Sequence, residues 1–301
     1  MTITTQQPPT EKPPRRKKRK LWIAIAIVSA LVVGTLGFRV YGALSLLAGG
    51  ERIDIGGRHI FIACSGFGSP TVILEHGLGA NGFDWKKVQD TIDDTTRVCY
   101  TSRAGMGFSD PAPGDGVRIM QDAVDDLSAV LAAAEVPGPY VLVGHSAGGF
   151  VVRLFADQHP GEVVGMVLVD STHEDQTARL RAEVSPKTWS EVSGFFGSDN
   201  SENMDLEASS AQAAAAGDLG DMPLVVLEAG QEEPEAPPPG ISQAAADEVN
   251  AVLRSLGPEL QLDLAELSTN GTHILVRGSG HFIQLDRPDA VIDAINSILG
   301  E

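Results

Sequence analysis

Basic residues are scarce beyond position 39 of this chain. Of its 22 Lys and Arg residues, seven lie between Lys12 and Lys20 and an eighth is Arg39. Glu11 is the only acidic residue before position 40, so residues 40–301 carry 39 acidic and 14 basic residues, a net charge of −25. A body with that charge repels nucleic acid and anionic lipid, which argues against a nucleic-acid partner.

Charge is absent from residues 21–38, which directly follow the basic run "RRKKRK". A bilayer span needs about 17–25 apolar residues, and basic residues beside a span stay in the cytoplasm. The sequence therefore predicts a basic, disordered cytoplasmic tail at residues 1–20 and an uncleaved transmembrane signal anchor at residues 21–45. The rest of the chain would be membrane-anchored and extracytoplasmic. A cleaved secretory signal, giving a secreted protein, and a buried core helix are the alternatives.

Cysteine is almost absent, with only Cys64 and Cys99. No histidine accompanies them at ligand spacing, so the pattern does not predict a metal site. Cys64 ends the strand-like segment "RHIFIAC", and Cys99 lies in the strand-like segment "TTRVCY". Outside the cytoplasm thiols tend to oxidise, so neighbouring strands would permit a disulfide; two buried free thiols are the alternative.

No repeat of 20–50 residues is present, and apolar runs of strand length alternate with helical patterns along the body. "AAADEVNAVLRSL" is one of the predicted helices. The alternation favours an α/β fold with a parallel sheet covered by helices on both faces. Residues 172–221 lose the strand pattern and are rich in Ala, Glu and Ser, which predicts an inserted cap.

The segment "YVLVGHSAGG" places Ser146 in a G-x-S-x-G pattern between a predicted strand and a predicted helix. There a serine sits on a tight turn that small neighbours such as Gly144 and Gly148 permit. A serine nucleophile needs a base. Of the seven histidines, His281 alone lies in a glycine-rich loop after the last predicted strand, so we predict it to be that base.

Backbone N–H groups are predicted to complete the site. The loop "EHGLGANGFDW" follows an early strand and offers the N–H of Leu78, and the turn offers the N–H of Ala147. Two such donors stabilise the oxyanion of an acyl-transfer intermediate.

Taken together, "HGLGA", "SRAGMGFSDP", "GHSAGG", "LVDSTHEDQ" and "GSGHFIQLDRP" resemble the landmarks of the alpha/beta-hydrolase superfamily, in order, over about residues 51–300. The resemblance is to the single-domain, serine-nucleophile branch with a helical cap, here a domain at residues 51–301 with the cap at about 172–221. It implies a mostly parallel eight-stranded sheet, a Ser-His-acid triad and no metal or organic cofactor. It also implies that the strands bearing Cys64 and Cys99 are adjacent, which supports the disulfide.

Two residues compete to be the acid of the triad. Members of the family usually carry an aspartate after the strand that follows the cap, where this chain has Glu233, with Glu232 beside it. Asp170, at the end of the strand before the cap, is the placement that some lipases of the family use. We predict Asp170, because a strand end is more rigid than a Pro- and Glu-rich loop, and keep Glu233 as the alternative.

The sequence thus predicts a carboxylesterase- or lipase-like enzyme that forms an acyl-enzyme. A serine at position 146 excludes epoxide hydrolases and haloalkane dehalogenases, whose nucleophile is aspartate. Amidase, peptidase and cofactor-free peroxidase activities stay open, as do a non-catalytic binding protein and a membrane-anchored acidic scaffold. Aromatic residues of the cap, Trp189, Phe195 and Phe196, favour an apolar acyl substrate.

Overall fold

The computed structural model describes residues 49–230, 237 and 240–301 of the chain. The predicted tail and anchor at residues 1–45 lie outside the described residues, as do Glu232 and Glu233. Among the residues that are described, none of the helices is long and apolar enough to cross a membrane.

Strands and helices alternate through most of the described chain. The strands are β1 (Glu51–Asp54), β2 (His59–Ser65), β3 (Thr71–Glu75), β4 (Val98–Ser102), β5 (Tyr140–His145), β6 (Val163–Val169), β7 (Leu224–Ala229) and β8 (Gly271–Val276). The α-helices within the described ranges are α1 (Lys86–Ile92), α2 (Met120–Ala133), α3 (Gly148–Gln158), α4 (Gln176–Glu183), α5 (Pro186–Phe196), α6 (Leu206–Ala215), α7 (Gln243–Glu266), α8 (Ile283–Asp286) and α9 (Pro288–Leu299).

All eight strands form one sheet in the order β1-β2-β4-β3-β5-β6-β7-β8. Strand β2 pairs antiparallel with both β1 and β4, and every other pair is parallel. The predicted mostly parallel eight-stranded sheet is therefore confirmed. The carboxyl ends of β5, β6 and β7 lie side by side at one edge, so the residues that follow them are brought together.

Two apolar cores lie on the two faces of the sheet, because alternate residues of each strand point to opposite sides. Leu142 and Leu168 belong to the first core, which also receives α2 and α3. Val141 and Val167 belong to the second, which also receives α1 and α9. All four of these side chains are fully buried. The strands between covered faces are thus apolar on both sides, as parallel strands in such folds are.

Three helices, α4 to α6, lie between β6 and β7, inside the range predicted as the cap. Two of these helices begin at a residue whose side chain accepts a hydrogen bond from the first helical turn. Ser185 accepts from the Thr188 N–H at the start of α5, and Asp205 accepts from the Ala208 N–H at the start of α6. Such N-caps satisfy donors that the first turn of a helix leaves unpaired.

Cys64 and Cys99 face each other across the antiparallel pair β2–β4 and form a disulfide, with their Cα atoms 4.1 Å apart. The predicted bridge is therefore confirmed. It closes a loop with a sequence separation of 35 residues. In the chain-entropy view, a loop of that length stabilises the fold by about 3–4 kcal/mol.

Candidate active site

Ser146 occupies a sharp turn between β5 and α3 with a positive φ of 52°, a conformation that is costly for a residue with a Cβ. The glycines around it are required sterically. A Cβ on Gly144 would lie 2.7 Å from Val152 Cγ2, and one on Gly148 would lie 2.7 Å from the Glu75 carbonyl oxygen. The turn therefore forms only because these two neighbours lack side chains.

Hydrogen bonds tie this turn to the end of β6. The Ser146 N–H donates to the Val169 carbonyl at 3.1 Å, and the Thr172 N–H donates to the Ser146 carbonyl at 3.1 Å. Asp170 lies between those two partners in the chain. The position of the serine and that of the aspartate are consequently set by the same strand pair, β5–β6.

Asp170 is bonded to the histidine predicted as the base. Its Oδ2 lies 2.7 Å from His281 Nδ1. Its Oδ1 accepts from the Ala229 N–H at 2.9 Å, and its own N–H donates to the Leu227 carbonyl at 2.7 Å. Both carboxylate oxygens and the backbone are thus held at the sheet edge. Asp170 also has a positive φ, 41°, which marks it as a second strained position beside Ser146.

His145 has a role that the sequence did not reveal. Its Nε2 lies 2.9 Å from the His281 carbonyl oxygen, and because a carbonyl only accepts, Nε2–H is the donor. Burial and, next, the neighbouring His281 lower the pKa of His145 well below its usual value, so the ring is neutral. His145 thus holds the backbone of the residue that bonds Asp170.

Five of the predicted site residues line one cavity of about 380 Å³. Its lining includes the five residues Leu78, Ser146, Ala147, Asp170 and His281. The other predicted acid, Glu233, lies outside the described residues.

The rest of the cavity wall is mainly apolar and comes from the cap and from α7. The apolar lining includes Val192, Phe195, Phe196, Leu206, Val249 and Leu253. Trp189, predicted with the two phenylalanines, is not part of this lining; it stacks on Phe196 with ring centroids 5.9 Å apart. An apolar compound reaching Ser146 would therefore lie between the cap and α7.

The comparisons with known proteins agree with the fold described above. The family model described as "alpha/beta hydrolase fold" matches residues 70–236. The probable transporter efuK of Hormonema carpetanum is 33% identical over 143 residues, which cover 46% of this chain and 20% of that protein. The matched part of this chain therefore spans about a fifth of the length of that relative. The uncharacterised protein YqjL of Bacillus subtilis is 27% identical over 229 residues, or 76% of this chain and 83% of that protein.

Solved structures share the architecture at low sequence identity. A thermophilic esterase from Thermogutta terrifontis superposes with a TM-score of 0.57 and 20% identity, covering 83% of this chain and 98% of the esterase. At that identity the likeness establishes a common fold.

Proposed function

The chain belongs to the alpha/beta hydrolase family, and we propose that it is a serine hydrolase that cleaves ester-like acyl bonds through an acyl-enzyme. One observation carries the proposal: Ser146 lines the same cavity as His281 and Asp170, and those two are joined by a 2.7 Å hydrogen bond. A nucleophile, a base and a group that orients the base are the components that acyl transfer requires.

In the first step, Ser146 Oγ attacks the carbonyl carbon of the substrate and its proton passes to His281 Nε2. Asp170 accepts from Nδ1–H, which fixes the tautomer that exposes an acceptor at Nε2 and stabilises the imidazolium that forms. The N–H groups of Leu78 and Ala147 donate to the oxyanion. The C–O bond to the alcohol then breaks, and His281 returns the proton to the leaving oxygen.

In the second step, water replaces the alcohol. His281 takes one proton from the water, whose oxygen attacks the acyl carbon, and the same proton returns to Ser146 Oγ as the acid is released. Overall, one ester bond and one water molecule are consumed, and one acid and one alcohol are formed.

An apolar acyl group is the substrate feature that the cavity favours. Phe195 and Phe196 contribute from the cap, and Val249 and Leu253 contribute from one face of α7. The esterase that shares this fold acts on esters, which also supports an ester substrate. Length selectivity is expected to follow from how much of the acyl chain this wall can cover.

Labelling with a fluorophosphonate tests the proposed nucleophile. Folded protein is expected to take up one phosphonyl group on Ser146, because an activated serine displaces the fluoride and an inactive one does not. Mass spectrometry of the peptide that contains Ser146 checks the site. Heat-unfolded protein is the control and should not react. A folded protein that stays unlabelled would favour a binding protein of the same fold over an enzyme.

We also propose that residues 21–45 anchor the enzyme to a membrane with residues 51–301 outside the cytoplasm. The uncharged run after a basic segment supports this, and so does the Cys64–Cys99 disulfide, because such bonds persist in oxidising compartments. Intact mass measured in membrane and soluble fractions tests it. The full-length chain is expected in the membrane fraction, whereas a soluble form that begins after about residue 30 would contradict an uncleaved anchor.

A further inference from the structure

Four charged or titratable side chains are buried behind the loop that carries Leu78, and the proposed chemistry does not use them. They are Glu75, His76, Arg103 and Glu202. Burying such groups is costly unless each is paired, so their presence calls for a physical reason.

All five N–H donors of the Arg103 guanidinium have partners. Nε and Nη2 donate to the two oxygens of Glu202 at 2.7 Å each, and Nη1 donates to Glu75 Oε1 at 2.6 Å. The two remaining donors reach backbone carbonyls, that of His76 at 2.6 Å and that of Gly77 at 2.9 Å. Only the planar fork of an arginine supplies this set, so a lysine could not replace it.

The Gly77 carbonyl oxygen receives three donors. Besides Arg103 Nη2, His76 Nδ1–H donates to it at 2.8 Å and the Ala80 N–H donates at 3.2 Å. The Arg103 N–H donates in turn to His76 Nε2 at 3.1 Å, which fixes the tautomer of the ring. Burial and then the charge of Arg103 lower the pKa of His76 to about 3, so this neutral tautomer persists at working pH.

The Gly77 carbonyl and the Leu78 N–H belong to one peptide group. That peptide is trans, so its C=O and its N–H point in opposite directions. Leu78 lines the cavity, whereas Arg103 and His76 are not among the lining residues that the described chain provides. The donors that hold the carbonyl from behind therefore direct the N–H toward the cavity.

This peptide lies directly against the nucleophile turn. An added Cβ on Gly77 would come within 2.8 Å of His145 Nδ1 and 3.2 Å of Ser146 Cβ. A small rotation of the peptide would thus change the position of the N–H relative to an oxyanion formed at Ser146.

Glu202 extends the arrangement into the segment between α5 and α6. Its Oε1 also accepts from the Gly79 N–H at 2.8 Å, so one carboxylate holds both the arginine and the loop. Burial alone would raise the pKa of Glu202, but the charge and hydrogen bonds of Arg103 outweigh burial and hold that pKa at about 2. The ion pair is therefore intact over the whole range in which the protein would work.

We propose that Arg103 and His76 are positioning residues that orient and polarise the Gly77–Leu78 peptide so that its N–H serves as an oxyanion donor, with Glu202 holding Arg103 in place. Hydrogen bonds accepted by a carbonyl strengthen the N–H of the same peptide as a donor. The proposal rests on the proposed function, because an oxyanion forms only if Ser146 attacks an acyl group.

The test compares steady-state kinetics of variants with p-nitrophenyl butyrate and their rate of fluorophosphonate labelling. R103M/E202M removes the ion pair between Arg103 and Glu202. Glu75 then loses its arginine but keeps the Thr101 hydroxyl as a donor, and burial raises the pKa of Glu75, which favours its neutral acid. H76L removes one donor to Gly77. For folded R103M/E202M we expect kcat to fall about 10- to 100-fold with KM within about twofold, below the ~10²–10³-fold cost of deleting an oxyanion donor. The labelling rate is expected to fall in parallel.

Conservative and matched variants separate positioning from general destabilisation. In H76N, an amide nitrogen replaces Nδ1 as the donor to Gly77, so part of the kcat lost in H76L should return. R153M/E174M is the matched control: Arg153 has the same 3% side-chain exposure as Arg103 and bonds both oxygens of Glu174, away from the Gly77–Leu78 peptide. It should lower the melting temperature and leave kcat unchanged.

Each result of these experiments either supports or overturns the proposed positioning role. A folded R103M/E202M with the wild-type kcat overturns the proposal, as does a kcat loss equal to that of R153M/E174M. If R103M/E202M does not fold, H76L and H76N decide, and a wild-type kcat in H76L overturns the proposal. Wild-type protein with neither turnover nor labelling at Ser146 would refute the proposed function itself, whereas active wild type with unaffected variants refutes only the positioning role.

Discussion

Replacing Ser146 with alanine is expected to lower kcat by ~10⁴–10⁶-fold for any ester that the wild type hydrolyses, because no other group can form the acyl-enzyme. The affected atom is small, and the turn around it is set by Gly144 and Gly148, so the fold should persist. The measurement is hydrolysis of p-nitrophenyl esters of graded chain length, with the melting temperature as a check on folding.

A buried serine outside the cavity provides the control for this substitution. Ser209 is fully buried, donates to the Asp205 carbonyl and accepts from the Met120 N–H, and it does not line the cavity among the described residues. S209A should reduce stability and keep kcat. If S146A retains more than about a tenth of wild-type kcat while folded, Ser146 is not the nucleophile.

The double variant S146A/H281A tests whether Ser146 and His281 act together in the same step. Once the serine is gone, His281 has no hydroxyl to deprotonate, so S146A/H281A should be no slower than S146A alone. If Ser146 and His281 contributed independently, the kcat loss of the double variant would instead be the product of the losses in S146A and H281A. Such a product would indicate that His281 serves the substrate without acting through Ser146.

Local sequence was enough to predict the nucleophile turn, and the resemblance to a known fold was needed as well to predict the disulfide. Gly144 and Gly148 stand within two residues of Ser146, so the steric reason for the turn is contained in one short segment. Cys64 and Cys99 lie in segments with clear strand patterns, and the resemblance to a known fold placed those strands side by side. In both cases the evidence was a short motif or an established strand order.

One helix, by contrast, is longer than its sequence pattern predicts, because packing favours its continuation. The pattern "AAADEVNAVLRSL" predicts a helix over residues 244–256, whereas α7 runs from Gln243 to Glu266 and contains Pro258. A proline inside a helix removes a hydrogen bond and costs about 3 kcal/mol or more. Burial of Leu260 and Leu264, together with the hydrogen bond from Gln261 to the Ser171 carbonyl, favours continuing the helix.

Contacts between distant parts of the chain were beyond sequence reasoning. Arg103 and Glu202 are 99 positions apart, and nothing near either residue indicates the other. Their pairing depends on where the segment between α5 and α6 packs against the loop after β4. His145 likewise gave no local signal, because its partner is a backbone carbonyl 136 positions away.

Replacing Asp170 with asparagine is expected to lower kcat by ~10⁴-fold, which would decide between the two predicted acids. Asparagine keeps the size of the side chain, and its amide oxygen can still accept from the Ala229 N–H. Its amide NH₂ would then face His281 Nδ1, where it can only donate, so the ring must place its proton on Nε2 and cannot take the proton of Ser146. Activity is measured with the same p-nitrophenyl esters.

Glu233→Gln is the matched control, since it is also an acid-to-amide change at the position where the family usually carries its acid. We expect E233Q to keep kcat within about threefold of wild type, because Asp170 already bonds His281 through one oxygen and the sheet edge through the other. Loss of activity in E233Q with D170N unaffected would reverse the assignment. Equal losses in the two variants would mean that both carboxylates act on His281, and the rigid strand end after β6 would then not be sufficient to orient the base.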